Sequence, residues 1–372
     1  VPSVAFNVGI ALVAGLAASV TASFVMFLVR RDGAREKASL AAGGVSAVLL
    51  LLMSNLAGLW TVLDITKIVP GSLLDWYHGK EYDRIDKIAT WRPDDFWWWW
   101  KSSRITNSFN AEGADLDFTI QEFPFFSILL GDFHPHLMSI PFVLTGITVL
   151  TALFIANRSI SLSALRRNIP ATVIAALVIG SSGFINFWDV GLLLLLSTGL
   201  VIAAWIARRR YGVKQLIAAV LPLAALWAIG MLIYSSFYFG TAESQVQWPP
   251  LAPVRYGSRL IHFISIWLPL MIITAPVAVL LTSKYTARLA TRVRRETGIS
   301  QTERNLIWRP AWIIGVALVA IPWLIWVVTH ILFNDDAFIT DVITRMPVTG
   351  LLGLFSATLI AAVITRARRG AD

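Results

Sequence analysis

Residues 4–29 have the sequence VAFNVGIALVAGLAASVTASFVMFLV, and this stretch decides the fold class because it contains no charged side chain. A helix of about 20 apolar residues crosses the hydrocarbon core of a bilayer. Comparable uncharged runs follow at 39–63, 137–157, 170–188, 310–334 and 346–365. None of them shows the alternation of a membrane barrel strand. The sequence therefore predicts an all-α, polytopic helical membrane protein.

Composition agrees with a membrane-embedded chain. Only 14% of the residues are charged and 56% are hydrophobic, whereas a soluble domain carries about 25% charged residues. The absence of cysteine excludes disulfides and thiol chemistry. No basic segment precedes the first apolar run, so that run is not typical of a signal peptide. Because the chain begins at Val1, we expect a longer upstream portion.

We predict nine spans, at 4–29, 39–63, 137–156, 170–188, 190–207, 215–235, 263–283, 310–333 and 346–365. If the spans alternate in direction, one set of connections comprises 30–38, 157–169, 208–214, 284–309 and the tail 366–372. This set holds 21 of the 31 Lys and Arg residues but only 5 of the 22 Asp and Glu residues. The positive-inside rule places it in the cytoplasm.

The predicted protein is thus a multi-pass protein of the cytoplasmic (inner) membrane, with its N-terminus outside and its C-terminus in the cytoplasm. The net charge of +9 is explained by a basic rim that faces anionic membrane lipids, so no nucleic-acid partner is needed. The whole chain, 1–372, is predicted to form one transmembrane domain with outer loops 64–136 and 236–262. We expect short interfacial helices in the first loop, a tight turn at Asp189 and an extended second loop around WPPLAP.

The stretch FPFFSILLGDFHPHLMSIPF, residues 123–142, places Asp132, His134 and His136 next to the third span. Pro135 favours an extended backbone, in which residues two apart point the same way. The three side chains could then bind a divalent metal ion, with a carboxylate from Asp132 or Glu122, or a substrate phosphate. Alternatively, they form a capping network for a helix that begins near Leu137.

Other polar residues lie on the predicted outer side. Asp95 follows Pro93 and precedes Trp97–Trp100, which predicts either a general base beside an aromatic platform or a helix N-terminus. Arg104 could hold a lipid phosphate. Asn186 and Asp189 either line a cavity or cap the next helix. The basic residues before the seventh span, whose guanidinium groups suit phosphate binding or snorkelling, are Arg255, Arg259 and His262.

Three segments carry a resemblance to a known family: EFPFFSILLGDFHPHLMSIPF (122–142), GFINFWDVG (183–191) and the region 238–269. They resemble the YYY family of uncharacterised polytopic membrane proteins. That family is similar to the GT-C superfamily of membrane glycosyltransferases, which use polyprenyl-phosphate sugars on the outer face. The resemblance covers this chain as the later part of the family's domain, and it implies an upstream half or another membrane subunit as partner.

The resemblance implies a GT-C-like fold and a glycosyltransferase, or its C-terminal half. Glu122, Asp132 or Asp95 would serve as base or metal ligand, and His134, His136, Arg255 and Arg259 would hold the donor phosphate. The alternative is a non-catalytic assembly subunit of a larger membrane complex. A transporter is disfavoured, because charged groups are absent from the middle of every predicted span.

Overall fold

The computed structural model describes residues 2–77, 100–106, 120–157, 160–207, 213–240, 259–274 and single positions between 313 and 328. Every regular element within these residues is helical, which confirms the all-α class for the described part of the chain. The α-helices are α1 (Pro2–Arg31), α2 (Glu36–Leu52), α3 (Ala57–Thr66), α4 (Gly71–Tyr77), α5 (Pro124–Leu130), α6 (Pro135–Asn157), α7 (Leu162–Arg167), α8 (Ile169–Ile185), α9 (Asp189–Ala207), α10 (Val213–Ile233), α11 (Ser235–Gly240) and α12 (Leu260–Thr274). A 3₁₀ turn covers Trp100–Ser103.

Three of these helices are long and apolar enough to cross a membrane: α1 over Val4–Arg31, α6 over Pro135–Ile155 and α10 over Val213–Ile233. The shorter apolar helices are α8, the Asp189–Ile202 part of α9, and α12. Many large apolar side chains on these helices are exposed, as a lipid-facing surface requires. The chain is a helical membrane protein, while the count of nine spans stays a prediction. The ninth predicted span lies outside the described residues.

The predicted second span, 39–63, is wrong as a single helix. The structure divides it into α2 and α3, and Met53 leaves the helix with extended backbone angles. Asn55 stabilises the break, because its Oδ1 accepts from the Ala57 amide (3.1 Å) and its Nδ2 donates to the Ser102 carbonyl (2.6 Å). The Leu56 amide bonds the carbonyl of Ser265 at 2.8 Å. Backbone groups freed by the break thus find partners elsewhere.

The chain packs into two compact units. The described part of the first unit comprises residues 2–53 and 127–240, and its main helices are α1, α2, α6, α8, α9 and α10. In this unit α1 and α6 run in the same direction, since Phe6 and Gly9 near the start of α1 contact Phe133 just before α6. A short connection that contains α7 returns the chain to α8, which packs against α6 in the opposite direction.

α8 and α10 run in parallel and approach each other closely at glycines. A Cβ atom built on Gly180 would lie 2.3 Å from the carbonyl oxygen of Gly230, and one built on Gly230 would lie 2.7 Å from that of Ala176. Further along, the hydroxyl of Tyr238 donates to the Gly180 carbonyl at 2.9 Å. Only glycine allows this backbone approach. The core beside it contains Leu150, Leu153, Ile160, Leu165, Ala175, Ala176, Ile179, Leu223 and Leu226.

Helix directions give the first unit two chemically different ends. One end holds the starts of α6 and α9 and the end of α8, together with the predicted site residues around Asp132 and Asp189. The opposite end holds the C-terminus of α1, α7 and the N-terminus of α10. Described basic side chains at that end include Arg30, Arg31, Arg35, Lys37, Arg166, Arg167 and Lys214.

The second unit contains α3, α4, the 3₁₀ turn and α12 among its described elements. Its core consists of Ala57, Tyr77 and Ile105, with Trp60, Ile261 and Ile266 packed against it. The indole of Trp60 stacks on Tyr77, with ring centroids 4.7 Å apart, and donates to Ser265 Oγ at 2.9 Å. α3, α4 and α12 are therefore held together by both ring stacking and hydrogen bonds.

The structure agrees with the prediction for the first outer loop but only partly with the prediction for the second. Short helices do occur in the predicted first outer loop, as α4, the 3₁₀ turn and α5. The second outer loop is not extended at its beginning, where α11 continues close behind α10. Residues 241–258, with WPPLAP, lie outside the described part of the chain.

Candidate functional site

The segment between α5 and α6 brings Asp132 and His134 together in the first unit. Asp132 Oδ2 lies within hydrogen-bonding distance of His134 Nδ1, and both side chains remain partly exposed, at 27% and 50%. The backbone of 132–134 is not helical, so side chains two apart share a side of the chain. Phe133 points the other way and packs edge-to-face on Phe6, with centroids 5.5 Å apart. The alternation predicted from the sequence holds for this pair.

The helix boundary at this site corrects the prediction for His136. α6 begins at Pro135 rather than near Leu137, because proline suits the first helical turn, where no amide hydrogen is needed. His136 is therefore helical, and its Nε2 lies 3.1 Å from Ser127 Oγ. Ser127 itself is fully buried. The imidazoles of His134 and His136 lie 5.4 Å apart between centroids, but they have different partners.

The predicted divalent metal site depends on these same side chains. The ring nitrogen of His134 that faces Asp132 is already paired with that carboxylate, and His136 Nε2 faces a serine hydroxyl. Imidazole and carboxylate groups are suitable ligands for several divalent ions. The donor set therefore fits a metal chemically, although binding would have to compete with the Asp132–His134 pair.

Asn186 and Asp189 form a turn between α8 and α9 at the same end of the first unit. Asn186 Nδ2 donates to Asp189 Oδ2 at 3.0 Å, and the Asp189 amide bonds the Asn186 carbonyl at 3.0 Å. Asp189 is the first residue of α9, where a carboxylate favours the helix dipole. The tight turn predicted here is present and covers Asn186–Trp188.

Arg104 and Glu122 lie in the second unit and face each other. Arg104 Nη1 is 3.9 Å from Glu122 Oε1, and the two side chains are only 5% and 10% exposed. The guanidinium also lies 4.4 Å from the ring centroid of Trp100, a cation–π distance. Gln121 completes the cluster, since its Oε1 accepts from the amides of Ile105 (2.9 Å) and Thr106 (3.1 Å).

Arg259 and His262 bind the end of α4. The ring of the fully buried His262 places Nε2 2.7 Å from the Tyr77 carbonyl. Arg259 donates to the carbonyls of Tyr77 (3.3 Å) and Trp76. Cationic and N–H donors stabilise the unsatisfied carbonyls of a helix C-terminus. Burial lowers the pKa of Arg259 and raises the pKa of Tyr77 well above its usual range.

Each compact unit holds some of the predicted site residues. Asp132, His134 and His136 lie near the start of α6, and the turn at Asn186 and Asp189 occupies the same end of the first unit. Arg104 with Glu122 and Arg259 with His262 form two clusters in the second unit. Asp95 and Arg255 lie outside the described residues.

Several residues in these clusters were missed by the sequence reasoning. Ser127, Gln121 and Tyr77 are ordinary residues by composition, and only tertiary contacts give them a role. The sequence could have indicated that Phe133 points to the opposite side of the chain, since it alternates with Asp132 and His134. The sequence could also have indicated a role for Gly131, because a glycine just after an apolar helical run predicts a helix C-terminus.

Comparisons with known proteins give a single result. The family described as uncharacterized membrane protein (DUF2298) matches residues 1–370. Neither curated proteins nor solved structures gave a match.

Proposed function

We propose that this chain, which belongs to the DUF2298 family of uncharacterized membrane proteins, is a membrane glycosyltransferase, or the C-terminal half of one. The donor would be a polyprenyl-phosphate sugar, and the reaction would take place where α6 begins. This proposal includes the GT-C-like fold and the outer-face location implied by the resemblance.

The observation that carries the proposal is the half-exposed Asp132–His134 pair at the end of an apolar helix. Ionisable groups at membrane level are costly and indicate function by default. Asn186 and Asp189 lie at the same end of the first unit and add polar groups there. A lipid-linked phosphate carries its reacting bond at this depth of a bilayer, next to the acyl region.

The residue roles follow as proposals. Asp132 and Glu122, together with Asp95, are the candidate bases or metal ligands. His134, His136, Arg104, Arg255, Arg259 and His262 are the candidate phosphate-binding groups, with Asn186 and Asp189 as further polar contacts. Positive charge near the phosphate would stabilise the leaving group. A divalent ion, if bound, would supply the same electrostatic stabilisation.

The test uses the chain purified in lipid with a panel of polyprenyl-phosphate hexoses and pentoses. Native mass spectrometry measures donor binding, and release of free polyprenyl phosphate measures turnover. We expect Asp132→Asn to lower turnover at least about 100-fold, as loss of a general base or its partner does. Absence of both binding and turnover with every donor would contradict the proposal.

Stability measurements separate catalytic from structural losses in this test. Glu122→Gln removes the carboxylate charge 3.9 Å from the buried guanidinium of Arg104, and breaking a buried ion pair costs about 3–5 kcal/mol. Asp132 is more exposed, so Asp132→Asn should retain the unfolding temperature. A variant that loses turnover and stability together gives no support to a catalytic role.

An assembly role is favoured by a different observation. Four predicted ligand-binding or catalytic residues are engaged within the second unit: Arg104, Glu122, Arg259 and His262. Side chains used in this way fix helix ends rather than bind substrate. Under this alternative the chain would co-purify with other membrane subunits from its native membrane, and Asp132→Asn would leave the function of that complex unchanged.

A further inference from the structure

We infer that His134 is the group that accepts the proton from the sugar acceptor, and that Asp132 orients its imidazole. This inference rests on the proposed function and makes it more specific. The proton acceptor is then a histidine rather than a carboxylate, and the carboxylate of Asp132 holds the imidazole ring in place.

The partner of His134 determines which ring nitrogen is available. An ionised carboxylate can only accept hydrogen bonds, so Asp132 Oδ2 selects the form of His134 that carries its proton on Nδ1. In the neutral ring, Nε2 then holds the lone pair. A nitrogen lone pair opposite a carboxylate contact is the arrangement of a general base with an orienting acid.

Exposure distinguishes His134 from His136. The side chain of His134 is 50% exposed, so its ring can reach a bound acceptor. The Nε2 atom of His136 instead lies 3.1 Å from the hydroxyl of the fully buried Ser127. His136 Nε2 thus contacts a buried hydroxyl, whereas the neighbouring ring of His134 is the more exposed of the two.

The backbone before the pair is fixed by the end of α5. Gly131 adopts a left-handed conformation with φ of 71°. Its amide bonds the Ile128 carbonyl at 3.2 Å, and the Asp132 amide bonds the Ser127 carbonyl at 2.9 Å. These two bonds form a Schellman motif, which closes a helix and sets the direction of the chain that leaves it.

The backbone after the pair is fixed by the start of α6. The His134 carbonyl accepts from the amides of Leu137 and Met138, both at 3.0 Å. Between the two helices, Phe133 packs on α1, where a Cβ atom on Gly9 would lie 3.2 Å from its ring. The pair is thus held at three points, which is the preorganisation that an acid–base site requires.

The proposed step balances as follows. His134 Nε2 takes the proton of the acceptor hydroxyl, whose oxygen forms a bond to the anomeric carbon of the donor sugar. The bond between that carbon and the phosphate oxygen breaks, and its electron pair leaves with polyprenyl phosphate. Asp132 keeps its hydrogen bond to Nδ1 throughout and stabilises the imidazolium that forms.

The first experiment measures the ring protonation of His134 without any substrate. The chain has five histidines, so selective ¹⁵N-histidine labelling gives few signals, and His134→Gln identifies the one of interest. Spectra are recorded at about pH 9, above the ordinary titration range of imidazole. We expect the chemical shifts to show a protonated Nδ1 and a bare Nε2 in the wild-type protein.

Two matched variants test whether Asp132 sets this form. Asp132→Asn keeps an acceptor oxygen and should retain a protonated Nδ1 in a large part of the molecules. Asp132→Leu removes the acceptor and should shift His134 to the form protonated on Nε2, while the signals of His136 stay unchanged. A wild-type ring protonated on Nε2, or no response to Asp132→Leu, would overturn the inference.

Turnover with the polyprenyl-phosphate sugars assigns the proton acceptor. We expect Asp132→Asn to lower kcat about 10²-fold and His134→Gln to lower it further, up to about 10⁴-fold, with little change in KM. Full activity of His134→Gln beside an inactive Asp132→Asn would make Asp132 the base. If the wild-type protein neither binds nor turns over any donor, the proposed function fails, whatever the ring protonation.

Discussion

At the scale of single residues, partners decide which of the unusual polar groups are available for chemistry. His134 and His262 illustrate the two cases: the first is half exposed beside Asp132, and the second is fully buried against the carbonyl of Tyr77. Both stood out in the sequence as histidines near a predicted span. Their roles differ because a buried polar group is retained for the hydrogen bond it makes.

His262→Leu is expected to destabilise the protein by about 1–3 kcal/mol, since the Tyr77 carbonyl loses a buried donor. His134→Leu is the control, because its exposed ring should leave the free energy of unfolding within about 0.5 kcal/mol of wild type. Thermal unfolding in detergent, followed by tryptophan fluorescence, measures both. Equal stability of the His262→Leu and wild-type proteins would contradict this assignment.

Sequence alone could predict that Asp132 and His134 share a side of the chain, because alternation is a local property. It could not predict the contact between Arg104 and Glu122, because the residues between them show no periodicity that would bring the two side chains together. Nor could it predict that His136 lies in the first turn of α6 and contacts Ser127. Contacts between distant segments decide such cases.

At the scale of helices, the apolar runs predicted α1, α6, α8, α9 and α10 within a few residues of their observed ends. Long uncharged runs are strong signals, because the bilayer requires them. The break between α2 and α3 was missed, since Ser54 and Asn55 are weak interruptions in an apolar run. Hydrogen bonds to Ser102 and Ser265, which no local pattern reveals, stabilise it.

The α8–α10 contact gives a prediction at this scale. Gly180→Ala should destabilise the protein by about 1–3 kcal/mol, because the added Cβ would overlap the Gly230 carbonyl. Gly199→Ala in α9 is the matched control, since its Cβ meets no atom within 4 Å. That variant should be neutral or more stable by up to about 1 kcal/mol.

Thermal unfolding of the two glycine variants and the wild-type protein in the same detergent makes the comparison. Both changes add one methyl group inside an apolar helix, so their effects on helix propensity are similar. A difference between them therefore reports the contact with α10. Equal unfolding temperatures would mean that α8 and α10 can separate slightly without loss of stability.

At the scale of the whole molecule, the helix directions in the first unit match the charge difference between the two sets of connections. Basic side chains such as Arg31, Arg167 and Lys214 lie at one end of its helices, and Asp132 and Asp189 lie at the other. The charge difference between connections was visible in the sequence, as was the alternation of spans. The orientation of the chain in its membrane stays a prediction that follows from the positive-inside rule.

Single cysteines test this orientation without background, because the natural chain has none. Ser236→Cys lies at the acidic end of the first unit and Ser163→Cys at the basic end, and both side chains are exposed. With a membrane-impermeant maleimide, we expect intact cells to label Ser236→Cys and to label Ser163→Cys only after permeabilisation. The reverse pattern would invert the topology and place the Asp132–His134 pair in the cytoplasm.

The glycine contact between α8 and α10 also has a consequence for biogenesis. α9 lies between these two helices in the chain, so α8 leaves the ribosome before α10 does. Until α10 arrives, the backbone around Gly180 can meet only other helices or lipid tails, which fit a glycine surface poorly. The order of translation therefore separates the emergence of α8 from its final packing against α10.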